Sequence, residues 1–476
     1  MSNVLTSEHG GRRKYFHVAL RPLLDYYAVA SIVVILAFFG ILMVASSSMT
    51  WSVLEGASVF GTAMRQAVMV GVGFVAMWLC LRLRPQSIRR SAPWVLIVSV
   101  LLLVLVLVPS IGTGLEEVGS QSWIVLGPIR LQPSELAKVA IAVWGSAWLA
   151  DCPPEKKKIR FIGFIVIALL MLGLILLEKD VGMALAFLVV VGVTLVFAGL
   201  DLRYIVFTAL ATVIGLALAV KNSSGFRSDR ISVFKDAFFG HFDDTRGAAF
   251  QSYQGYLSLS DGSLFGVGPG QSRAKWFYLP EAKNDFIFAI IGEETGLLGA
   301  TMVIVLYAAL CVLGFRIALR SNNRFLSLLA ATLTGSIVIQ AFINIGYVIG
   351  LWPVTGIQLP LISAGGTSAI ITLASMGLLL NCARHEPEAI SALQSHGRPW
   401  FDRLLMLPEP MVTGVSVREG RGESPRSGGE HEQRDARPSS RRREALTRHS
   451  ERDRVRRYGE PLTHVRHRPS SQNRQR

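Results

Sequence analysis

Apolar runs of about 18 residues or more recur along this chain, and each is long enough to cross a lipid bilayer. That feature leaves few folds open. Backbone in hydrocarbon must satisfy its own hydrogen bonds, so such runs fold as a bundle of transmembrane helices. The runs fall near 28–46, 65–82, 93–110, 134–150, 160–177, 181–199, 203–220, 285–314, 325–349 and 360–383. The expected fold class is an all-α polytopic membrane protein of about ten spans. A mean hydropathy of +0.43 agrees with it. The N-terminus does not read as a secretory signal, because no small-residue cleavage site follows the first run.

The basic residues test this count. Arg12, Arg13, Lys14 and Arg21 precede the first run, and Arg82, Arg84, Arg89 and Arg90 follow the second. Lys156, Lys157, Lys158 and Arg160 follow the fourth, Arg203 the sixth, Arg316, Arg320 and Arg324 the eighth, and Arg384 the tenth. With ten spans all of these lie on one side. The positive-inside rule makes that side the cytoplasm, with both termini in it. Three regions result. Residues 1–27 form a cytoplasmic N-terminal segment. Residues 28–384 form the membrane domain, with a large outer loop at 221–284 between spans seven and eight. Residues 385–476 form a basic cytoplasmic tail, expected to be disordered apart from a short amphipathic piece around Trp400 to Leu407. The tail has many arginines and no lysine, and the whole chain carries a net charge of +15. Cys80, Cys152, Cys311 and Cys382 are far apart in the sequence. They read as packed free thiols, with neither a disulfide nor a metal cluster.

Charge inside a membrane is costly and needs a reason. The stretch YLPEAKNDFIFAIIGEETG places Glu281, Asp285, Glu293 and Glu294 in or beside one apolar run. Asn284 or Asp285 suits a helix N-cap. A carboxylate at the membrane surface also suits a general base, and the two roles are compatible. On a regular helix Gly292 and Gly296 lie nearly under Asp285, Glu293 flanks that stripe, and Glu294 points the other way. The two glutamates are then unable to serve one site in the same way. Both lie about 12–14 Å below Asp285 and must face protein, with Lys138, Lys179, Gln340 and Asn344 as expected partners. Glu294 reads as a structural ion-pair member. Glu293 is open between that role and substrate contact.

Other polar groups sit at similar depths. In QPSELAK, Pro133 and Ser134 read as a helix start, and Glu135 and Lys138 share one face as an i,i+3 ion pair. EKDVG puts Glu178, Lys179 and Asp180 in a short outer turn. LPLISAGGTS supplies Ser363, Gly365, Gly366, Thr367 and Ser368. These small and hydroxyl residues suit either a broken helix that binds an anion such as phosphate, or close helix packing. The glycines of GVGPG at 266–270 lack a βαβ context. There is no Walker lysine motif, no HExxH and no Gly-x-Ser-x-Gly. No nucleic-acid partner is expected.

Taken together, YLPEAKNDFIFAIIGEETGLLG, WIVLGPIRLQPSELAK, EKDVG, SLFGVGPG and TGIQLPLISAGGTS resemble the hallmark segments of the SEDS family (shape, elongation, division and sporulation proteins). The resemblance runs in order over about residues 22–384. Within the family the opening RPLLDYY, the run ending in MVASSS and the extended ends look more like the division-type FtsW members than the elongation-type RodA members. The resemblance implies a ten-span glycosyltransferase of the cytoplasmic membrane, acting in septal wall synthesis. It would polymerise lipid II, a disaccharide-peptide on a polyprenyl pyrophosphate, at the outer face. Its implied partners are a class B penicillin-binding protein transpeptidase and other division proteins. It implies that Asp285, the acid before the FIF run, is essential. Two positions depart from the family pattern: Ser122 stands where Arg is usual before Trp123, and Gly255 replaces a usual Ser in FQSYQG.

The chemistry implied is attack by a sugar hydroxyl on an anomeric carbon, expelling pyrophosphate. It needs a base and positive charge for the leaving group. Asp285 would be the base. Arg227, Arg246, Arg273, Lys275 and Lys283 are candidate cations, with Gln251 and Gln254 as further substrate contacts. A divalent ion, Mg or Mn, could share their role, though no protein ligand cluster marks one. Two rival readings fit the same charges: a flippase for the same lipid, and a non-catalytic scaffold that recruits division proteins.

Overall fold

The structure, a computed structural model, describes residues 23–410 apart from 55–57, 59, 115–119, 128, 152, 201–202, 204–249, 277–278, 280–281 and 398. Eight helices among them are long and apolar enough to cross a membrane. They are α1 (Leu24–Leu54), α2 (Gly61–Arg82), α3 (Pro85–Val106), α5 (Lys157–Leu177), α6 (Val181–Ala198), α8 (Ile287–Arg320), α9 (Arg324–Val348) and α10 (Thr367–Arg384). The intervening α4 (Pro133–Ala150) carries Glu135 and Lys138, which lower its hydropathy, and it is buried along most of its length. Helices therefore stand at nine of the ten expected positions among the described residues. The run at 203–220 lies outside them.

Local sequence sets the ends. Pro85 and Pro133 occupy the first helical turn, where a missing N–H costs nothing. α3 thus begins at Pro85, ahead of its apolar run. Asp180 caps α6 by accepting from Met183 N at 2.9 Å, and Gly199 ends that helix in the left-handed region. Asn323 caps α9 in the same way through Phe325 N. The last expected run is helical only from Thr367. Before it, Leu361 and Gly366 turn the chain at positive φ.

α9 and α10 are the most enclosed helices. α10 packs closely on α2, and a side chain added at Gly377 would lie 2.3 Å from the Met77 carbonyl. The segment after α3 holds something the all-α expectation lacked. β1 (Gly112–Thr113), β2 (Trp123–Leu126) and β3 (Ile129–Leu131) form an antiparallel sheet in that order.

Two further departures matter. α8 is not continuous: Gly296 has φ 69° and ψ −171°, a conformation for glycine alone. The segment after α7 (Phe250–Asp261) fills the break. Leu297 N and Leu298 N donate to the carbonyls of Ser263 and Leu264, while Val267 N and Gly268 N donate to those of Glu293 and Glu294. Irregular backbone survives at this depth because each freed group finds a partner.

The chain is also ordered beyond 385, contrary to the expected tail boundary. α11 (Pro387–His396) and α12 (Trp400–Leu404) follow α10. Arg384 and Asp402, 2% and 1% exposed, pair at 2.8 Å, and Trp78 Nε1 donates to the Leu405 carbonyl. Residues 411–476 lie outside the described part.

Candidate active site

The segment entering α8 is held by its backbone. The carbonyl of Lys283 accepts from Ala364 N at 3.0 Å, and that of Asn284 accepts from the Ser363 hydroxyl at 2.7 Å. The carbonyl of Asp285 lies 2.9 Å from both Asn344 Nδ2 and Tyr347 Oη. Three successive carbonyls are thus fixed by the 359–364 turn and by α9. The α8 N-cap is Phe286, with no side-chain cap bond, so the expected capping by Asn284 or Asp285 is not what starts this helix. Asp285 is half-buried, just before the N-terminal end of α8. Gly255 of α7 packs on the Phe286 ring, where an added Cβ would stand 3.1 Å away. A serine there would crowd the residue next to Asp285.

A second polar chain adjoins this frame. Lys138 pairs with Glu135 at 3.0 Å on α4, both buried, and donates to Gln340 Oε1 of α9 at 2.6 Å. Gln340 Nε2 then reaches the Gln358 carbonyl. The Ser363 carbonyl accepts from Gln66 on α2, and Thr367 Oγ1 donates to the Arg130 carbonyl on β3. Ser368 is buried, and its N–H bonds Gly365 O. The hydroxyls of Ser363 and Thr367 therefore bind protein carbonyls. The broken helix joins α4, α9 and α10 around the Asp285 segment.

Glu294 is the buried ion-pair member expected, but both glutamates take partners other than those expected. The segment from Ser272 to Lys275 meets both. Ser272 Oγ and Arg273 N donate to Glu293 at 2.6 Å each, while Ser272 N and Ser46 Oγ donate to Glu294 at 3.4 and 2.5 Å. Lys275 Nζ lies 3.5 Å from Glu294 Oε1 and also bonds the Gly270 carbonyl. The regular-helix argument failed because the loop wraps the break at Gly296 and reaches both sides. Lys138, Gln340 and Asn344 serve other partners, as above. Lys275 is 3% exposed and neutralises Glu294, so its ammonium is not open to a substrate.

The other candidates are spread out. Arg273 is exposed; Lys283, Gln251 and Gln254 are half-buried; Arg227 and Arg246 lie outside the described residues. At the turn before α6, Gln132 Nε2 donates to Asp180. Burial raises the pKa of Asp180, against the bond from Met183 N. Ser122, buried beside it, also offsets the rise, although its hydroxyl makes no hydrogen bond of ordinary geometry. Glu178 is fully buried with both oxygens unbonded. Burial first, then Asp180, push its pKa to about 9. No trio of His, Cys, Asp and Glu side chains among the described residues is grouped to hold a metal ion. Asn344 and Tyr347 had no assigned part in the Asp285 frame. Their signal was an i,i+3 polar pair in an apolar helix.

Known proteins resemble this chain in sequence and fold. The probable peptidoglycan glycosyltransferase FtsW of Mycobacterium tuberculosis is 42% identical over 392 residues, covering 82% of this chain and 74% of that one. Stage V sporulation protein E of Bacillus subtilis is 36% identical over 363 residues, covering 74% and 95%. A chain from a peptidoglycan synthase complex, solved for its coordination of polymerization and crosslinking, superposes with a TM-score of 0.60 at 26% identity, covering 75% and 97%. Thermus thermophilus RodA, a rod shape determining protein, superposes at 0.56 with 27% identity, covering 76% and 97%. Residues 27–388 match the family model described as cell cycle protein, and with that extent of match the chain belongs to the FtsW, RodA and SpoVE family of multi-pass membrane proteins.

Proposed function

We propose that this protein is a peptidoglycan glycosyltransferase that polymerises lipid II at the outer face of the cytoplasmic membrane, in septal wall synthesis. The observation that carries the reading is the frame around Asp285. Three bonded carbonyls fix the backbone that carries a half-buried carboxylate at the N-terminal end of a membrane helix. In the reaction, a sugar hydroxyl gives its proton to Asp285 as its oxygen bonds the anomeric carbon. The bond from that carbon to the pyrophosphate breaks, and polyprenyl pyrophosphate leaves with the electron pair. A positioned base supplies about 10²–10⁴-fold of rate. Arg273 and Lys283 remain candidate cations for the leaving group. A Mg or Mn ion would add positive charge for the leaving pyrophosphate.

Both termini would lie in the cytoplasm. The working partner would be a class B penicillin-binding protein transpeptidase at the division site, with other division proteins around it. The complex seen for a structural relative supports this partnership. The test is Asp285→Asn in the full chain, assayed with labelled lipid II and the cognate transpeptidase. Polymer should fall to near background with thermal stability unchanged. A rate close to wild type would remove Asp285 as the base.

A further inference from the structure

We propose that Arg273 and Trp276 form a phosphosugar-binding edge, the guanidinium taking pyrophosphate and the indole taking a sugar ring, and that Glu293 holds them in place. The inference rests on the lipid II reading above and extends it to recognition. Within the segment 272–276, Ser272, Ala274 and Lys275 are buried, while Arg273 is exposed and Trp276 is 59% exposed. The inward side is bonded throughout. Ser272 and Arg273 give three backbone or hydroxyl bonds to Glu293 and Glu294, and Lys275 closes the cluster. The turn is fixed again by Trp276 N donating to the Arg273 carbonyl at 3.0 Å.

Burying two carboxylates and an ammonium is costly and needs full partnering. Here it immobilises one short stretch of backbone. What that stretch displays outward is an arginine whose guanidinium makes no hydrogen bond or ion pair to a described residue, and a tryptophan three residues on. A planar guanidinium binds phosphate oxygens in a bidentate fork. An indole offers a flat apolar face and one N–H donor. Together they match a sugar beside a pyrophosphate. Glu293 lies about 9 Å along α8 from Ile287. The Arg273 backbone is thus tied to the same helix that Asp285 precedes. Glu293 touches no substrate and is a positioning residue.

The test uses the full chain in neutral phosphatidylcholine nanodiscs, with binding read for lipid II and for undecaprenyl pyrophosphate. Arg273→Ala should weaken both by at least about tenfold, as loss of one charge-assisted bidentate contact implies. Arg273→Lys, which keeps charge without the fork, should fall between. Trp276→Ala should weaken lipid II but leave undecaprenyl pyrophosphate unchanged. Glu293→Gln should reproduce the Arg273→Ala loss for both probes. Ser272→Ala, which removes one clamp bond, gives the same direction should Glu293→Gln fail to fold. Wild-type affinity for lipid II in both Arg273→Ala and Trp276→Ala overturns the inference. So does an equal loss in both of phosphatidylglycerol retention, read in a parallel set of phosphatidylglycerol-containing nanodiscs, since the pair is then an interfacial anchor. In either case an inactive Asp285→Asn leaves the glycosyltransferase reading standing. A wild-type protein that binds but does not polymerise lipid II overturns that reading alone.

Discussion

The hydroxyl of Tyr347 stands 2.9 Å from the backbone carbonyl of Asp285, and 2.8 Å from that of Ile357. One side chain on α9 thus ties the Asp285 segment to the turn before α10. Its ring also lies 5.8 Å from that of Phe286. Tyr347→Phe keeps the ring and removes the tie. It should cost about 1 kcal/mol of stability and lower polymerisation by about tenfold through misplacement of Asp285. Polymer yield at equal expression, beside a melting curve, checks it. Unchanged yield would mean that Asn344 alone holds the carbonyl.

Glu135 and Lys138 are expected to compensate for each other. Either single neutralisation, Glu135→Gln or Lys138→Met, leaves an unpaired buried charge worth about 3–5 kcal/mol. The double variant should be more stable than the worse single. Thermal unfolding of all three in one detergent decides it. The remaining bond from Lys138 to Gln340 makes Lys138→Met the more informative single.

At Gly296 the backbone conformation and the space agree. Its φ is 69°, and a Cβ there would come within 2.3 Å of Gly266 N. Gly296→Ala should cost at least about 1–3 kcal/mol and detach the 262–275 segment. Limited proteolysis should then cut this segment faster than in wild type. Equal cleavage rates would show that the glutamate clamp alone suffices.

Glu178 gives a pH prediction. Burial and Asp180 raise its pKa from 4.5 to about 9. The folded state therefore binds the proton more tightly than the unfolded one. Stability from this group is full at low pH and declines as pH rises from about 4.5 through 9. Glu178→Gln mimics the protonated acid. It should match wild type at acid pH and exceed it at pH 9 and above. Melting temperatures from pH 5 to 9.5 test this, and parallel curves would refute it.

Packed structure continues past residue 385 to at least residue 410. Deleting residues 411–476 should leave polymerisation near wild type. Deleting from 387 removes Asp402 and leaves Arg384 buried without its partner, which should lower the melting temperature clearly. Equal stability of the two truncations would show that the pair contributes nothing.

The sequence alone determined the membrane class, nearly all helix positions and the i,i+3 pair of Glu135 and Lys138. Apolar run length and helical spacing are local properties, and lipid leaves the backbone few alternatives. The family resemblance singled out Asp285, but not what holds it. Only the tertiary structure decided that. Asn344 and Tyr347 reach Asp285 from 59 and 62 residues away, and no periodicity within one helix encodes such a bond. Glu293 and Glu294 were assigned to opposite faces because a regular helix requires it. The break at Gly296 let one loop reach both. Lys275 read as a substrate cation until Glu294 was found beside it. Beyond 385 the sequence showed the amphipathic piece around Trp400, where a helix stands, but not Pro387–His396 or the contacts with Arg384 and Trp78 that hold the segment. Where partners come from distant elements, pairing depends on packing, and packing is settled only when the whole chain has folded.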